Sequence, residues 1–329
     1  MTTEPTQPAA WCASTRRVIG IDAGGTKLLG GVISADLVVH HRVHRLWRGA
    51  DRAEVLDIMV EAVEEVRAAA PDVDAVGFGI PSLVDHDRGV SLSSVHLPLE
   101  DVPFRDLMSE RLALPVFVDN DTNVAVLAEQ RHGAARGARH VVMLTLGTGI
   151  GGGLVLDGQV YRGTLGAAGE IGHMTVELDG PAHPGDCTNR GCLEALVSGT
   201  AIGREGWEAG QEYPDSELGK ALARGREITG ALVTELAHDG DETARAVLAT
   251  AGARLGAGIV SVVNLLNPEV VVLGGGVLAA GELVLAPARA VVAERALRPS
   301  GAAVRIEPAH FGEEAGMLGA AVMALEESA

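Results

Sequence analysis

The feature that most constrains the fold is a strand–glycine turn–strand pattern that occurs twice, about 125 residues apart. Residues 18–33 are apolar at both ends, with glycines in the middle stretch 23–27. Residues 140–156 repeat this order around a second glycine-rich stretch, 147–153. Short apolar runs on either side of glycines are typical of strands joined by tight turns. The sequence therefore predicts two related halves, each built on such a hairpin.

Between and after these hairpins, helical periodicities alternate with short apolar runs. Helices are predicted at 54–70, 107–112, 122–132, 241–266 and 316–326, and further strands at 75–80, 116–118 and 270–273. Residues 163–191 predict a loop-rich insert. Alternating strands and helices in two related halves predict an α/β protein with a cleft between two lobes.

Charge and hydrophobicity exclude several classes of protein. The chain has 329 residues with 26 basic and 44 acidic side chains, a net charge of −18, which argues against a nucleic-acid partner. Polar residues interrupt its most apolar stretch, 257–286, whereas a bilayer span needs about 20 uninterrupted apolar residues. The first residues lack the basic and apolar regions of a signal peptide. We expect a cytoplasmic protein without a membrane segment.

The two glycine-rich stretches have the chemistry of phosphate-binding turns. Glycines expose backbone N–H groups and let a phosphate approach without a Cβ in the way. In the first stretch Thr26 adds a hydroxyl donor, Lys27 adds a cation, and Asp22 could hold Mg²⁺ through water. That stretch alone fits an ordinary hairpin turn, but its recurrence favours a nucleoside triphosphate. A third glycine run, 274–276, could admit a purine or ribose.

Four polar residues, 119–122, follow the apolar strand predicted at 116–118, where α/β proteins bind ligands. An aspartate there can accept the proton of an alcohol that attacks a phosphoryl group, and a neighbouring Asn can bind sugar hydroxyls. Asp and Asn are also favoured helix caps, which explains one of the four residues but not all.

A third polar cluster lies in the predicted loop-rich insert and just after it. Glu170, His173 and Glu194 are suited to binding the adjacent hydroxyls of a polyol. With Cys187 and Cys192, the histidine also resembles part of a zinc site, and the odd number of cysteines, three, indicates no disulfide framework. The alternatives are an ordinary loop histidine and two buried thiols.

Taken together, these motifs resemble the ROK family of sugar kinases, within the sugar kinase/Hsp70/actin superfamily, and are most similar to its bacterial glucokinases. The resemblance runs from about Val18 to Ala324. It is carried by Asp22-Ala23-Gly24-Gly25-Thr26-Lys27, Asn120-Asp121-Thr122-Asn123, Gly147-Thr148-Gly149-Ile150-Gly151-Gly152-Gly153, Glu170-Ile171-Gly172-His173, Gly191-Cys192-Leu193-Glu194 and Ala315-Gly316-Met317-Leu318-Gly319-Ala320-Ala321. The family implies an actin-like (ribonuclease H-like) fold with a central cleft. On that basis we predict a loose leader at 1–16, a smaller lobe at 17–122 plus 315–329, and a larger lobe at 123–314.

The resemblance also implies a function, phosphorylation of a hexose 6-hydroxyl by ATP with Mg²⁺ in a homodimer. Asp121 would be the general base, and the sugar would be held by Asn120, Glu170, His173 and Glu194. Nucleotide and phosphate binding would fall to Asp22, Gly24, Gly25, Thr26, Lys27, Gly147, Thr148, Gly149, Gly151, Gly152, Gly153 and Gly275. Glucose is the first choice of sugar. N-acetylmannosamine, N-acetylglucosamine and fructose are the alternatives, and polyphosphate could replace ATP. The family also includes sugar-responsive repressors, which carry an N-terminal DNA-binding helix-turn-helix of several dozen residues. We disfavour this alternative because only about seventeen residues precede the first predicted strand.

Three departures from the family pattern bear on zinc and on the sugar. Gly185 stands where the family's zinc motif has its first Cys, and Thr188 where it has a Gly. Zinc would then be held by His173, Cys187 and Cys192, with the fourth place taken by His183, Asp186, water or nothing. The family's Pro-Gly-Pro-Val loop is Pro81-Ser82-Leu83-Val84, and the Pro-Asn-Leu whose Asn contacts the sugar is Val95-His96-Leu97.

Overall fold

A computed structural model describes residues 16–47, 51–94, 96–183 and 187–329. The chain divides into two compact units, one formed by Met1–Val124 with Gly316–Ala329 and the other by Ala125–Ala315. Both units contain helices and strands, which confirms the predicted α/β fold class. The predicted leader, apart from Arg16, lies outside the described residues, as do Val95, Gly185 and Asp186.

In the first unit, helices pack on one five-stranded sheet with the order β3-β2-β1-β4-β7. Strands β1 and β2 form the predicted hairpin, β4 runs parallel to β1, and β7 runs parallel to β4. The described elements are β1 (Arg17–Ala23), β2 (Lys27–Ser34), β3 (Val39–Leu46), α1 (Arg52–Ala69), β4 (Val76–Ile80), β5 (Leu83–Asp85), β6 (Val90–Ser93), α2 (Phe104–Leu112), β7 (Val116–Asn120), the start of α3 (Asp121–His132) and α11 (Ala315–Glu327).

The second unit repeats this plan with a sheet in the order β10-β9-β8-β11-β12. Here β8 and β9 form the hairpin, β11 runs parallel to β8, and β12 runs parallel to β11. Each sheet therefore joins an antiparallel hairpin to parallel strands in the same order, and the two hairpins are the ones that the repeated glycine pattern predicts. Its described elements are β8 (Val141–Leu146), β9 (Ile150–Leu156), β10 (Gln159–Val160), α4 (Leu193–Val197), α5 (Gly199–Glu212), α6 (Glu217–Ala223), α7 (Gly230–His238), α8 (Glu242–Leu266), β11 (Val270–Gly274), α9 (Glu282–Arg295), α10 (Ser300–Ala303), β12 (Arg305–Pro308) and short 3₁₀ turns at Ile171–His173, Gly276–Ala280 and Gly312–Glu314.

Helix α8 is the central helix of the second unit's core. Asp241 caps its first turn by accepting a hydrogen bond from the backbone N–H of Ala244, at 2.7 Å. By length and composition it is the one described helix that could cross a membrane, yet 56% of its most apolar window is buried inside the protein. That degree of burial is what a core helix shows, because apolar residues on most of its faces contact other elements of the unit.

The structure corrects the predicted extent of the second glycine turn. The turn covers residues 147–149 only, and Gly151, Gly152 and Gly153 belong to β9, where they pair with β8. Glycine is needed in this strand because the chain at Gly169 approaches it closely. A Cβ on Gly152 would lie 2.0 Å from the carbonyl oxygen of Gly169. The run of glycines thus reflects a close backbone contact inside a strand as well as a turn.

Two further glycines let α11 lie close to the sheet of the first unit. A Cβ on Gly77 in β4 would lie 1.9 Å from the carbonyl oxygen of Ala320, and one on Gly20 in β1 would lie 2.2 Å from that of Met317. Because these oxygens belong to a helix backbone, they cannot move aside as a side chain can. Overpacking in a core costs about 1–3 kcal/mol even where side chains can shift.

We therefore expect Gly77→Ala to lower the free energy of unfolding by roughly 3 kcal/mol or more. Urea denaturation followed by circular dichroism measures this change. Gly276→Ala is the matched control, since its added methyl meets nothing within 4 Å. Equal unfolding midpoints for the two variants would contradict the close approach of α11 to β4.

Candidate active site

In the first unit, two acidic residues come together at the ends of β1 and β7. Asp22 is the penultimate residue of β1, and Asp121 begins α3 directly after β7. The pKa of Asp22 is raised to about 7, chiefly by loss of hydration and secondly by the negative charge of Asp121, against the opposing positive charge of Lys27. The structure thus brings three of the predicted residues into one electrostatic group.

The glycine turn beside this group is fixed by a residue that the sequence analysis missed. The indole Nε1 of Trp47 donates to the carbonyl oxygen of Gly25 at 3.2 Å, and the backbone N–H of Trp47 donates to that of Thr26 at 3.1 Å. Thr26 and Lys27 are exposed at the tip of the turn. A tryptophan just after a strand gives no local signal of this role, because the contact joins residues far apart in sequence.

The polar residues that follow β7 have different structural roles. Asn120 caps α3, since its Oδ1 accepts from the backbone N–H groups of Thr122 and Asn123 at 2.9 and 3.2 Å. Asp119 is buried and accepts from the backbone of Asn120 and the side chain of Asn123 at 2.7 and 3.0 Å. Asn120 thus has a structural role as a helix cap, and Asp119 has one as an acceptor of internal hydrogen bonds. Asp121 is partly exposed at the first position of the helix.

Of the two loops that depart from the family pattern, one contacts Asn120 and the other packs on the first glycine turn. The side-chain Nδ2 of Asn120 donates to the carbonyl oxygen of Ser82 at 3.2 Å, which uses one of its two hydrogens. A Cβ on Gly25 would lie 3.0 Å from the Cβ of His96, so this histidine packs on the first glycine turn. The predicted sugar loop therefore lies beside the predicted phosphate turn.

In the second unit, Glu194 is attached to the second glycine turn. Its Oε2 accepts a 2.6 Å hydrogen bond from the backbone N–H of Ile150, and a Cβ on Gly149 would lie 2.6 Å from the same oxygen. Gly275, with φ of +90°, is held against the end of β8, where a Cβ would lie 2.5 Å from the carbonyl oxygen of Leu146. The structure thus brings the turn, Glu194 and Gly275 together. Thr148 lies in the same turn.

Glu170, His173 and Glu194 form the predicted polyol-binding group. The Nε2 of His173 lies 3.7 Å from Glu170 Oε2. Loss of hydration raises the pKa of Glu170, the nearby His173 lowers it, and the charge of Glu194 raises it, so both neighbours are close enough to affect its ionisation. The structure thus brings together two carboxylates, which can accept hydrogen bonds, and one imidazole.

A second histidine, His183, lies between this group and the cysteines. Its Nε2 is 3.2 Å from Glu194 Oε1, and its Nδ1 is 3.0 Å from the Sγ of Cys192. Potential ligand atoms of His173, His183 and Cys187 all lie within 4.8 Å of one another. Burial lowers the pKa of His183 against the opposing charge of Glu194, and burial raises the pKa of the Cys192 thiol.

Comparison with known proteins gives one consistent result. The sequence profile of the ROK family matches residues 18–327. A glucokinase from Thermotoga maritima is 34% identical over 309 residues, which are 93% of this chain and 96% of that protein. A ROK family glucokinase from Streptomyces griseus, solved with glucose and AMPPNP, is 31% identical with a TM-score of 0.82, covering 94% of this chain and 99% of that one. A ROK family transcriptional regulator, a homologue of the E. coli MLC protein, is 26% identical with a TM-score of 0.86, covering 96% and 79%.

Proposed function

The chain belongs to the ROK family, and from this premise we propose that it transfers the γ-phosphoryl group of ATP to the 6-hydroxyl of a hexose, with glucose as its preferred sugar. The observation that carries the proposal is the grouping of Asp121, Asp22 and Lys27 beside a glycine turn. Further support comes from the similarity to a glucokinase that was solved with glucose and AMPPNP. We also propose that it acts in the cytoplasm as a homodimer.

Asp121 has the position and the chemistry of a general base. As the sugar oxygen forms its bond to the γ-phosphorus, the bond from that phosphorus to the ADP oxygen breaks. The hydroxyl proton passes to the Asp121 carboxylate. The opening of a helix beside a strand end fixes where the carboxylate lies, and its partial exposure leaves it open to a substrate.

The acidic pair also fits a bound Mg²⁺. Loss of hydration is the main cause of the raised pKa of Asp22, and repulsion by the Asp121 carboxylate is the second; a divalent cation would relieve that repulsion. When bound, Mg²⁺ supplies positive charge to the phosphates of ATP. Asp22 would hold it, directly or through water, beside the Asp121 carboxylate, and Lys27 would add a further positive charge. The exposed backbone of both glycine turns would bind phosphate oxygens.

We assign the sugar hydroxyls to Asn120, Glu170, His173 and Glu194. Carboxylates accept hydrogen bonds from hydroxyls, whereas the Asn120 amide donates. The hydrogen bond from Ile150 holds Glu194 in one orientation, which reduces the entropy lost when sugar binds.

The test is ADP release with a panel of glucose, mannose, fructose, N-acetylglucosamine and N-acetylmannosamine, with polyphosphate as an alternative donor. We expect the highest kcat/KM with glucose and ATP. A higher kcat/KM with an N-acetylated sugar than with glucose would show that the protein is a sugar kinase whose preferred substrate is not glucose. No ADP release above the sugar-free rate would reject a kinase, and binding of sugar alone would then favour the regulator to which the chain is also similar.

One prediction concerns His96, which stands where the family has a sugar-contacting Asn. We expect His96→Asn to lower KM for glucose by about 3–10-fold, the effect of one added hydrogen bond of about 0.5–1.5 kcal/mol. Steady-state kinetics measures it, and His44→Asn, at an exposed position of β3, is the control. An unchanged KM for every hexose tested would show that the loop at His96 does not contact the sugar.

A further inference from the structure

The predicted zinc site is one ligand short in sequence, because Gly185 replaces the first cysteine of the family's motif and a glycine carries no ligand atom. We propose that His183 is the fourth ligand, so that one Zn²⁺ is held by His173, His183, Cys187 and Cys192. The set would contain two imidazoles and two thiolates, instead of the one histidine and three cysteines that the family motif implies.

The first support is proximity. Ligand atoms of His173, His183 and Cys187 lie within 4.8 Å of one another, and Cys192 Sγ lies 3.0 Å from His183 Nδ1. Zinc bonds of about 2.0–2.3 Å to nitrogen and sulfur bring such atoms together in a tetrahedral site. His183 is therefore the residue that joins Cys192 to the other candidate ligands.

The second support is a buried ring nitrogen. In the described part of the chain, Nδ1 of His173 is buried and has no hydrogen-bond partner. An unsatisfied buried polar atom costs about 1–3 kcal/mol, and ligation to a metal would satisfy it. The ring of His173 lies 4.7 Å from that of His183, centroid to centroid, so the same ion can reach both imidazoles.

The third support is the carboxylate beside each histidine. The Nε2 of His173 faces Glu170 at 3.7 Å, and the Nε2 of His183 faces Glu194 at 3.2 Å. A histidine that binds zinc through one ring nitrogen usually donates the other N–H to a carboxylate or a carbonyl, which fixes its tautomer. His183 therefore has a carboxylate within hydrogen-bond distance of Nε2, and His173 has one slightly farther away, which leaves Nδ1 of each ring for the metal.

The substitution changes the charge of the site and its connection to the sugar residues. Zinc with three thiolates and a neutral imidazole has a net charge of −1, whereas zinc with two of each is neutral. His183 also links the metal to Glu194, which in turn accepts from Ile150 in the glycine turn. Loss of the metal should therefore raise KM for the sugar before it unfolds the unit. This last consequence rests on the proposed function, and the ligand assignment does not.

The test is titration of metal-free protein with Co²⁺, which occupies tetrahedral zinc sites and absorbs visible light. Wild-type protein should bind one Co²⁺ per chain with a tetrahedral spectrum and a thiolate-to-cobalt band of two-thiolate intensity. His183→Ala should weaken Co²⁺ and Zn²⁺ binding by more than about 100-fold, because loss of an outer-shell partner alone costs 10–100-fold. His183→Cys should raise the thiolate band by about half, since a third thiolate joins the same tetrahedral site.

His44→Ala, in the other unit, controls for the loss of any surface histidine and should bind metal as the wild type does. Circular dichroism confirms folding, and if His183→Ala does not fold, the thiolate band of His183→Cys decides. Wild-type affinity and spectrum in His183→Ala would overturn the proposal. So would an unchanged thiolate band in His183→Cys, or a wild-type protein that binds no metal. The titration uses neither sugar nor nucleotide, so an inactive kinase assay would leave its result intact.

Discussion

Asp121→Asn should lower kcat by about 10²–10⁴-fold and leave KM for the sugar nearly unchanged, because a positioned general base contributes that much and acts only as the bond forms. Folding should survive the change. Oδ1 of Asp121 accepts a 2.7 Å hydrogen bond from the backbone N–H of Thr122, and the amide oxygen of Asn can accept the same bond. Coupled ADP release under saturating sugar and ATP measures the loss.

Asp119→Asn is the matched control for this variant. Asp119 is the neighbouring buried carboxylate, and its Oδ1 accepts hydrogen bonds inside the first unit, which an Asn oxygen can also do. We expect a change of stability there with kcat within a few-fold of the wild type. More than half of the wild-type turnover in Asp121→Asn would remove Asp121 from the mechanism.

The sequence predicts the fold well where the signal is local and repeated. Hairpins with glycine turns appear as apolar–glycine–apolar patterns, so the equivalent sheets of the two units could be expected from residues 18–33 and 140–156. The same glycines misled the prediction at residues 151–153, which form a strand. Glycine indicates a turn or a close approach equally well, and only the position of Gly169 distinguishes the two.

The candidate site is predictable where chemistry follows a strand and is missed where it depends on distant contacts. Asp22 and Asp121 follow apolar runs, and this local pattern is enough to mark both as candidate site residues. His183 gives no such signal, since its importance comes from contacts with Cys192 and Glu194 across a loop. Trp47 is similar, because its hydrogen bonds to Gly25 and Thr26 join the end of one strand to a turn about twenty residues earlier.

The raised pKa of Asp22 predicts that the proposed active site destabilises the nucleotide-free protein as the pH rises. The pKa is about 7 in the folded state against 3.8 for the ordinary side chain, chiefly because the site is poorly hydrated and secondarily because Asp121 is near. The folded state therefore binds this proton more tightly than the unfolded chain does. The contribution of the Asp22 carboxyl to stability is fully present below pH 3.8, is lost as the pH rises from 3.8 to 7, and does not change further above 7.

Asp22→Asn removes the ionisation, so without nucleotide or added Mg²⁺ the variant should gain stability relative to the wild type as the pH rises from 5 to 8. The two pH units between pH 5 and the pKa of about 7 correspond to about 3 kcal/mol, which partial exposure of the side chain makes an upper bound. Urea denaturation at pH 5, 6, 7 and 8 measures the difference between the two proteins. The Asn side chain can also change stability by an amount that does not depend on pH. This amount cancels, because the prediction concerns only how the stability difference between the two proteins changes with pH.

Asp121→Asn supplies the control, since it removes the negative charge that helps to raise the pKa of Asp22. In that background the gain from Asp22→Asn between pH 5 and 8 should be smaller, and the reduction measures the repulsion between the two carboxylates. Added Mg²⁺ should also shrink the gain in the otherwise wild-type protein, because a bound cation stabilises the ionised pair that the Asn variant lacks. A stability difference that stays constant from pH 5 to 8 would show that Asp22 titrates as an ordinary carboxylate. The repulsion proposed to draw a cation to Asp22 and Asp121 would then lose its main support.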